Sequence, residues 1–295
     1  MPRPDRAALR NPVGTHVKVG PGLVRGTLKG ARELGLEALQ IFLGNPRGWA
    51  LSNGRPEEDA AFREGCAESG IRVVVHAPYL VNLGSPTPET YQRSAASVAH
   101  NVRRAAEVGA EALVVHTGSY VDTTGGPGLH AAALRRVREA LLPILETLED
   151  DHRPWLLLEP TAGQGRSLCA GVEDLAAYLD ALEHHPKAGI CLDTCHAFAA
   201  GAPLDEPGGT TRTVDRLVEL AGPGRLRLVH ANDSKDPRGS MRDRHERLGE
   251  GRIGTGAIEE LLSHPATAGV PFILETPGSR DPGSDQIALV KRLRT

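Results

Sequence analysis

The sequence predicts a single (β/α)8 barrel, eight parallel strands closed on themselves inside a ring of helices. Three observations lead there. Short apolar runs alternate with longer amphipathic stretches along all 295 residues. The runs are continuously apolar rather than alternating apolar and polar, as strands buried on both faces require. There are eight of them, each followed by a helix-like stretch, with no linker or low-complexity segment between. One domain over 1–295 is therefore expected, with residues 1–12 a loosely ordered tail. A doubly wound open sheet is the alternative that the same alternation permits.

In chain order the strand candidates are VGTHVKV (13–19), ALQIFLG (38–44), RVVVHAP (72–78), ALVVHTG (112–118), WLLLEPT (155–161), AGICLDT (188–194), RLRLVHAND (225–233) and PFILETP (271–277). GLVRGTLKGARELG (22–35) separates the first two as a helix. PETYQRSAASVAHNVRRAAEVG (88–109) and LHAAALRRVREALLPILETLED (129–150), rich in Ala, Leu and Arg, follow the third and fourth as longer ones. Each unit repeats at βα length, so no solenoid is indicated.

Composition narrows the class. Hydrophobic residues make up 40% and charged residues 24%, ordinary for a globular chain with a sizeable core. No apolar run approaches the roughly 20 residues of a membrane span, and MPRPDRAALRNP has no apolar segment of the secretory kind. A cytoplasmic protein is expected. Cys66, Cys169, Cys191 and Cys195 are then not expected to form disulfides. A net charge of −3 exerts no overall pull on nucleic acid, yet bound cations and local arginines can reverse the field at a site.

The chemistry is written at the strand ends. Six consecutive runs end in His76, His116, Glu159, Asp193, His230 and Glu275, 34 to 45 residues apart, one βα unit each. In a barrel these ends meet at one mouth, where active sites of this fold lie. A lone histidine or glutamate ending a strand is usually a loop residue or a satisfied buried group. Six in register would repel and be desolvated unless cations neutralised them, and the mixture of imidazole and carboxylate suits zinc or manganese. His196 lies three residues past Asp193. MRDRHERLGEG (241–251) adds Asp243 and His245, spaced to grip one ion from an extended stretch. Nine candidate ligands are too many for one ion and imply two or three.

Strand parity turns Cys191 to the same side as Asp193, one layer down in the core. Cys195 is expected in the following turn, so neither cysteine is read as a ligand. His16, placed early in the first strand, is read as a non-ligand, as are His100, His130, His152, His184, His185 and His264. GEGRIG (249–254) matches G-x-G-x-x-G, but it follows RDRHERL rather than a strand, so a dinucleotide site is not expected.

At this point the chain resembles the endonuclease IV family of apurinic/apyrimidinic endonucleases, from about residue 13 to 290. The matching stretches are HAPYLVNLGSP (76–86), VVHTGS (114–119), LLLEPTAGQG (156–165), CLDTCHAFAAG (191–201), HANDSK (230–235), DRHERLGEGRIG (243–254) and ILETPG (273–278), with ALQIFLGNPRGW (38–49) similar to a DNA-facing loop. The resemblance implies three zinc ions, with Mn2+ or Fe2+ as substitutes. His76, His116 and Glu159 would hold the first; a bridging Glu159 with Asp193, His230 and Glu275 the second; His196, Asp243 and His245 the third. Glu159 and Glu275 are the candidate catalytic carboxylates, and the identity of any general base stays open. Arg47, Tyr79 and Leu80 match residues inserted into the duplex, with Pro46 and Gly48 a departure around Arg47.

Hydrolysis 5′ to an abasic site in double-stranded DNA, leaving a 3′ hydroxyl and a 5′ deoxyribose phosphate, is the implied reaction, with removal of 3′ blocking groups as a second activity. A monomer is expected. Two rivals are a sugar isomerase or epimerase of the xylose isomerase-like barrel type, which needs fewer ligands and leaves Asp243 and His245 idle, and a non-catalytic damage-binding protein.

Overall fold

A computed structural model describes residues 11–121, 128–148, 154–277 and 284–294. Its strands are β1 (Val13–His16), β2 (Ala38–Ile41), β3 (Arg72–His76), β4 (Ala112–His116), β5 (Trp155–Glu159), β6 (Ala188–Asp193), β7 (Leu226–His230), β8 (Asp233–Ser234), β9 (His245–Glu246) and β10 (Phe272–Leu274). Eight of them close into a parallel barrel in the order β1-β10-β7-β6-β5-β4-β3-β2, while β8 and β9 form a separate antiparallel ribbon. The open-sheet alternative is thereby excluded.

All eight expected strands are present, and each ends one to three residues earlier than its apolar run. Pro78 and Pro160 explain two of these ends, because proline has no amide to continue the ladder. The helices are α1 (Lys29–Glu33), α2 (Pro56–Glu68), α3 (Pro88–Glu107), α4 (Leu129–Glu146), α5 (Leu175–Ala181), α6 (Thr194–Ala199), α7 (Gly209–Ala221), α8 (Thr255–Ser263) and α9 (Ser284–Leu293). The helix expected over 22–35 enters α1 through a π-helical turn, Leu23–Leu28. Residues 149–150 of the helix expected over 129–150 lie outside the described residues.

The core has two compartments, as strand alternation demands. Side chains such as Leu39, Ile41, Val75 and Leu113 point outward and pack under the helices with Phe62 and Leu141. Ala38, Val74, Ala112, Val114, Leu157, Cys191, Leu228 and Ile273 point inward and fill the barrel. Each large apolar side chain buried in this way contributes about 1.5–3 kcal/mol. Gly14 faces the second compartment, and a Cβ there would stand 1.6 Å from the Ala38 carbonyl oxygen, so only glycine lets β1 and β2 approach.

Of the tail expected over 1–12, residues 1–10 lie outside the described residues. Asn11 is buried and its amide donates to the carbonyls of Thr267 and Val270, while the Pro12 carbonyl accepts from Phe272 N. Those two residues belong to the barrel wall. Among the described residues no helix is long and apolar enough to cross a membrane.

Candidate metal centre

Continuing the inward parity by two residues from each interior position reaches His16, Gln40, His76, His116, Glu159, Asp193, His230 and Glu275. One polar side chain from every strand therefore forms the top layer of the barrel interior, directly above its apolar filling. Burial without partners would cost each of these groups several kcal/mol, so their contacts decide what the layer is for.

The donor atoms fall into neighbouring groups, within each of which they lie no more than 4.8 Å apart. These are His76, His116 and Glu159; then Glu159, Asp193, His230 and Glu275; then His196, Asp243 and His245. Ligands around a tetrahedral zinc ion stand about 3.3 Å apart, so each group is of ion-binding size. Glu159, fully buried, joins the first two: Oε2 is 3.2 Å from His76 Nε2 and 3.4 Å from His116 Nε2, while Oε1 is 2.9 Å from His230 Nδ1.

The histidines show how their protons are placed. His76 Nδ1 is 2.7 Å from the Ala77 carbonyl, His196 Nδ1 is 3.1 Å from that of Pro160, and His245 Nδ1 is 3.3 Å from that of Glu275. A carbonyl only accepts, so in the neutral ring Nδ1 carries the hydrogen and Nε2 offers its lone pair. Yet His76 Nε2 faces Glu159, His196 Nε2 lies 3.2 Å from Asp243, and His245 Nε2 lies 3.1 Å from Asp243 and 3.6 Å from Asp193. His245 Nε2 is also buried without a hydrogen-bond partner. Lone pairs aimed at carboxylates need a cation between them, and divalent metal fits this donor set.

The electrostatics agree. Burial lowers the affinity of His196 for a proton, but Asp193, Asp243 and Glu159 outweigh it and push the imidazole up to about 10. His245 is likewise raised to about 9, mainly by Asp193 and Asp243 against the penalty of burial. Glu159 is held well below the carboxylate range because His230 and His116 overcome its desolvation. The cluster is a trap for positive charge, whether proton or metal.

The third group depends on a feature the sequence reading passed over. The fully buried Asp233 accepts five backbone N–H groups: Ser234 and Ile253 on Oδ1, at 2.8 Å each, and Gly249, Gly251 and Gly254 on Oδ2, at 3.0 to 3.2 Å. GEGRIG is thus a backbone cradle for an internal carboxylate rather than for a phosphate. A Cβ on Gly251 would stand 2.4 Å from Asp233 Oδ1, which explains glycine there. The cradle anchors the segment carrying Asp243 and His245, and Ser234 pairs with His245 across the β8–β9 ribbon. Contrary to the sequence reading, a strand does precede the motif, the two-residue β9.

Asn232 ties two further elements together, its amide donating to Asp193 Oδ2 at 2.7 Å and its carbonyl oxygen accepting from Glu275 N at 2.9 Å. Asp193 also caps α6, accepting from His196 N at 2.8 Å. This places Cys195 in the first turn of a helix rather than in the expected turn, because the aspartate satisfies a free amide there. The thiols of Cys191 and Cys195 approach the donor groups, but burial pushes both up to about 12, so they stay protonated. All four cysteines are free and buried.

His16 is misplaced by the sequence reading. It is the last residue of β1, not an early one, with Nδ1 3.8 Å from Glu275 and its ring 4.6 Å from that of Phe42. Burial lowers it to about 4, so it stays neutral. His100, His130, His184 and His264 bond elsewhere, to Ser52, Leu168, Asp180 and Asp215. His185 receives the Lys187 amide, and His152 lies outside the described residues.

Tyr79 and Leu80, 53% and 37% exposed, stand beside the layer, with the Tyr79 ring 5.8 Å from His76 and 6.1 Å from His116. Arg47 is exposed at the tip of a turn closed by Gly48 N on the Asn45 carbonyl. That turn is tied to the next loop by Tyr79 N on the Pro46 carbonyl at 3.0 Å.

Comparison with known proteins places this geometry. Residues 28–295 match the family model described as xylose isomerase-like TIM barrel. The chain is 52% identical to a probable endonuclease 4 of Streptomyces coelicolor over 285 residues, 97% of this chain and 96% of that one. Among solved structures, endonuclease IV from Thermus thermophilus is 34% identical with a TM-score of 0.82, covering 96% of this chain and 98% of that one. A D-tagatose 3-epimerase-like protein, 21% identical with a TM-score of 0.69 over 96% of each chain, shares the fold alone. With identity at this level sustained over nearly its whole length, the chain belongs to the endonuclease IV family of the xylose isomerase-like TIM barrels.

Proposed function

We propose that this protein is a zinc-dependent endonuclease that cuts double-stranded DNA on the 5′ side of an abasic site, leaving a 3′ hydroxyl and a 5′ deoxyribose phosphate, and that it also removes 3′ blocking groups. The observation that carries the reading is the set of imidazole lone pairs aimed at carboxylates, the buried Glu159 and the more exposed Asp243, in three linked groups. Divalent ions, when bound there, would lower the pKa of a coordinated water and offset charge on the phosphate. Three divalent ions bring six positive charges against the four carboxylates Glu159, Asp193, Asp243 and Glu275, so the loaded mouth attracts an anionic backbone although the chain does not.

The protein's own groups have distinct tasks. His76, His116 and Glu159 would hold the first ion, Glu159, Asp193, His230 and Glu275 the second, and His196, Asp243 and His245 the third. Glu159 is common to the first two groups, and Glu159 and Glu275 are the candidate catalytic carboxylates. Binding to DNA is supported by the rim. Among the described residues, the large apolar side chains left exposed are Val19, Leu51, Tyr79, Leu80, Val121 and Met241, all on loops that follow the C-terminal ends of barrel strands. Arg47, Arg242 and Arg244 are exposed on the same loops. Tyr79 and Leu80 would fill the gap left when an abasic nucleotide, poorly stacked and so easily extruded, turns out of the duplex. The sugar-epimerase reading draws on a likeness of fold only and leaves the third group without a task.

The test is incision of an end-labelled duplex carrying one tetrahydrofuran abasic analogue, with an intact duplex as control, before and after chelation and after zinc is restored. Nicking 5′ to the analogue that disappears with the metal and returns with zinc is expected. Protein carrying its full metal complement that leaves the analogue uncut refutes the proposal.

A further inference from the structure

Six of the eight residues in the polar layer are candidate ligands; Gln40 and His16 are not. Gln40 is fully buried, and its carboxamide spans two of the six. Nε2 donates to Glu275 Oε1 at 2.5 Å and approaches His16 Nδ1 at 3.2 Å, while Oε1 lies 2.8 Å from His230 Nε2.

The orientation of this amide is fixed by its partners. Both oxygens of an ionised Glu275 can only accept, so the NH2 end must face it and the carbonyl end must face His230. His230 then carries its hydrogen on Nε2, opposite to the arrangement in His76, His196 and His245, where Nδ1 faces a carbonyl. The free His230 nitrogen is Nδ1, the one that points at Glu159 (2.9 Å), Glu275 Oε2 (3.4 Å) and Asp193 (3.8 Å). The second amide hydrogen is taken by His16, whose ring is braced on Phe42.

Building on the proposed metal centre, we infer that Gln40 is a positioning residue for the second ion. It selects the ring nitrogen that His230 presents and occupies one oxygen of Glu275 so that the other faces the ion. No other side chain of this length donates and accepts at once. Glutamate would repel Glu275, and methionine would fill the volume while leaving both ligands unheld.

The test compares the wild-type protein with Gln40→Glu and Gln40→Met for zinc content, for zinc affinity by competition with a chromophoric chelator, and for incision. Loss of a partner to a metal ligand commonly costs about ten- to hundredfold in affinity. The expected result is a fall of about that size for one of the ions, with kcat lowered and KM for DNA within about twofold of wild type. In the wild-type holoenzyme, long-range 15N NMR of labelled histidine is expected to show His230 alone among these four with its hydrogen on Nε2; this reading does not depend on any variant folding. Unchanged zinc affinity and kcat in both variants, or a His230 hydrogen on Nδ1, overturns the role of Gln40 while leaving the metal centre intact. A wild-type protein that takes up no zinc overturns the metal centre itself, and this inference with it.

Discussion

Asp233→Asn changes one atom at the point that anchors the third donor group. The carboxylate receives two amides on Oδ1 and three on Oδ2. Asparagine keeps one oxygen and turns an NH2 toward the other set, so at least two hydrogen bonds become donor-to-donor contacts. Hydrogen bonds to a charged group contribute about 1.5–3 kcal/mol each, which sets the loss at about 3–6 kcal/mol. Against a total of about 5–15 kcal/mol for a domain, that is a severe change from a near-isosteric substitution. Urea unfolding of the metal-free protein measures it, and zinc analysis of the loaded protein reports whether Asp243 and His245 still hold an ion. A midpoint that shifts by less than the equivalent of about 1 kcal/mol, with full zinc retained, would refute the claim that the cradle supports that segment.

Three other outcomes are expected. Glu159→Gln replaces the buried carboxylate common to two donor groups with an amide, and should leave the protein with fewer bound ions and incision lowered by at least about 100-fold; metal analysis beside single-turnover incision decides it. His196 and His245 have raised proton affinities in the metal-free protein, so their contribution to stability is complete below their unfolded value of about 6.5 and is lost as pH climbs through about 9 to 10. Urea midpoints in chelator should fall over that window, and a flat profile would contradict the charge placement. Tyr79→Ala removes an exposed ring at the rim, and should weaken binding to an abasic duplex by about tenfold with zinc content unchanged, as read by fluorescence anisotropy.

Much of this protein is local in origin. Eight apolar runs at βα spacing define the barrel because strands buried on both faces must be apolar throughout, and the place where each run turns polar marks its open end. His76, His116, Glu159, Asp193, His230 and Glu275 stand out for that reason, while His196, Asp243 and His245 follow from the segments that continue the same strands. The same two-residue parity also governs His16 and Gln40, but each looks ordinary alone: a polar residue inside VGTHVKV or ALQIFLG carries no sign of a partner. The structure gives Gln40 partners 190 and 235 positions away along the chain, brought within hydrogen-bond reach only when β1 and β2 close against β10 and β7. Asp233 is similar, since its burial creates the need that the amides of GEGRIG satisfy, and burial belongs to the folded chain. Strand identity and inward facing are read from a period of two; the hydrogen bonds that orient the inward groups are made between segments that only barrel closure joins.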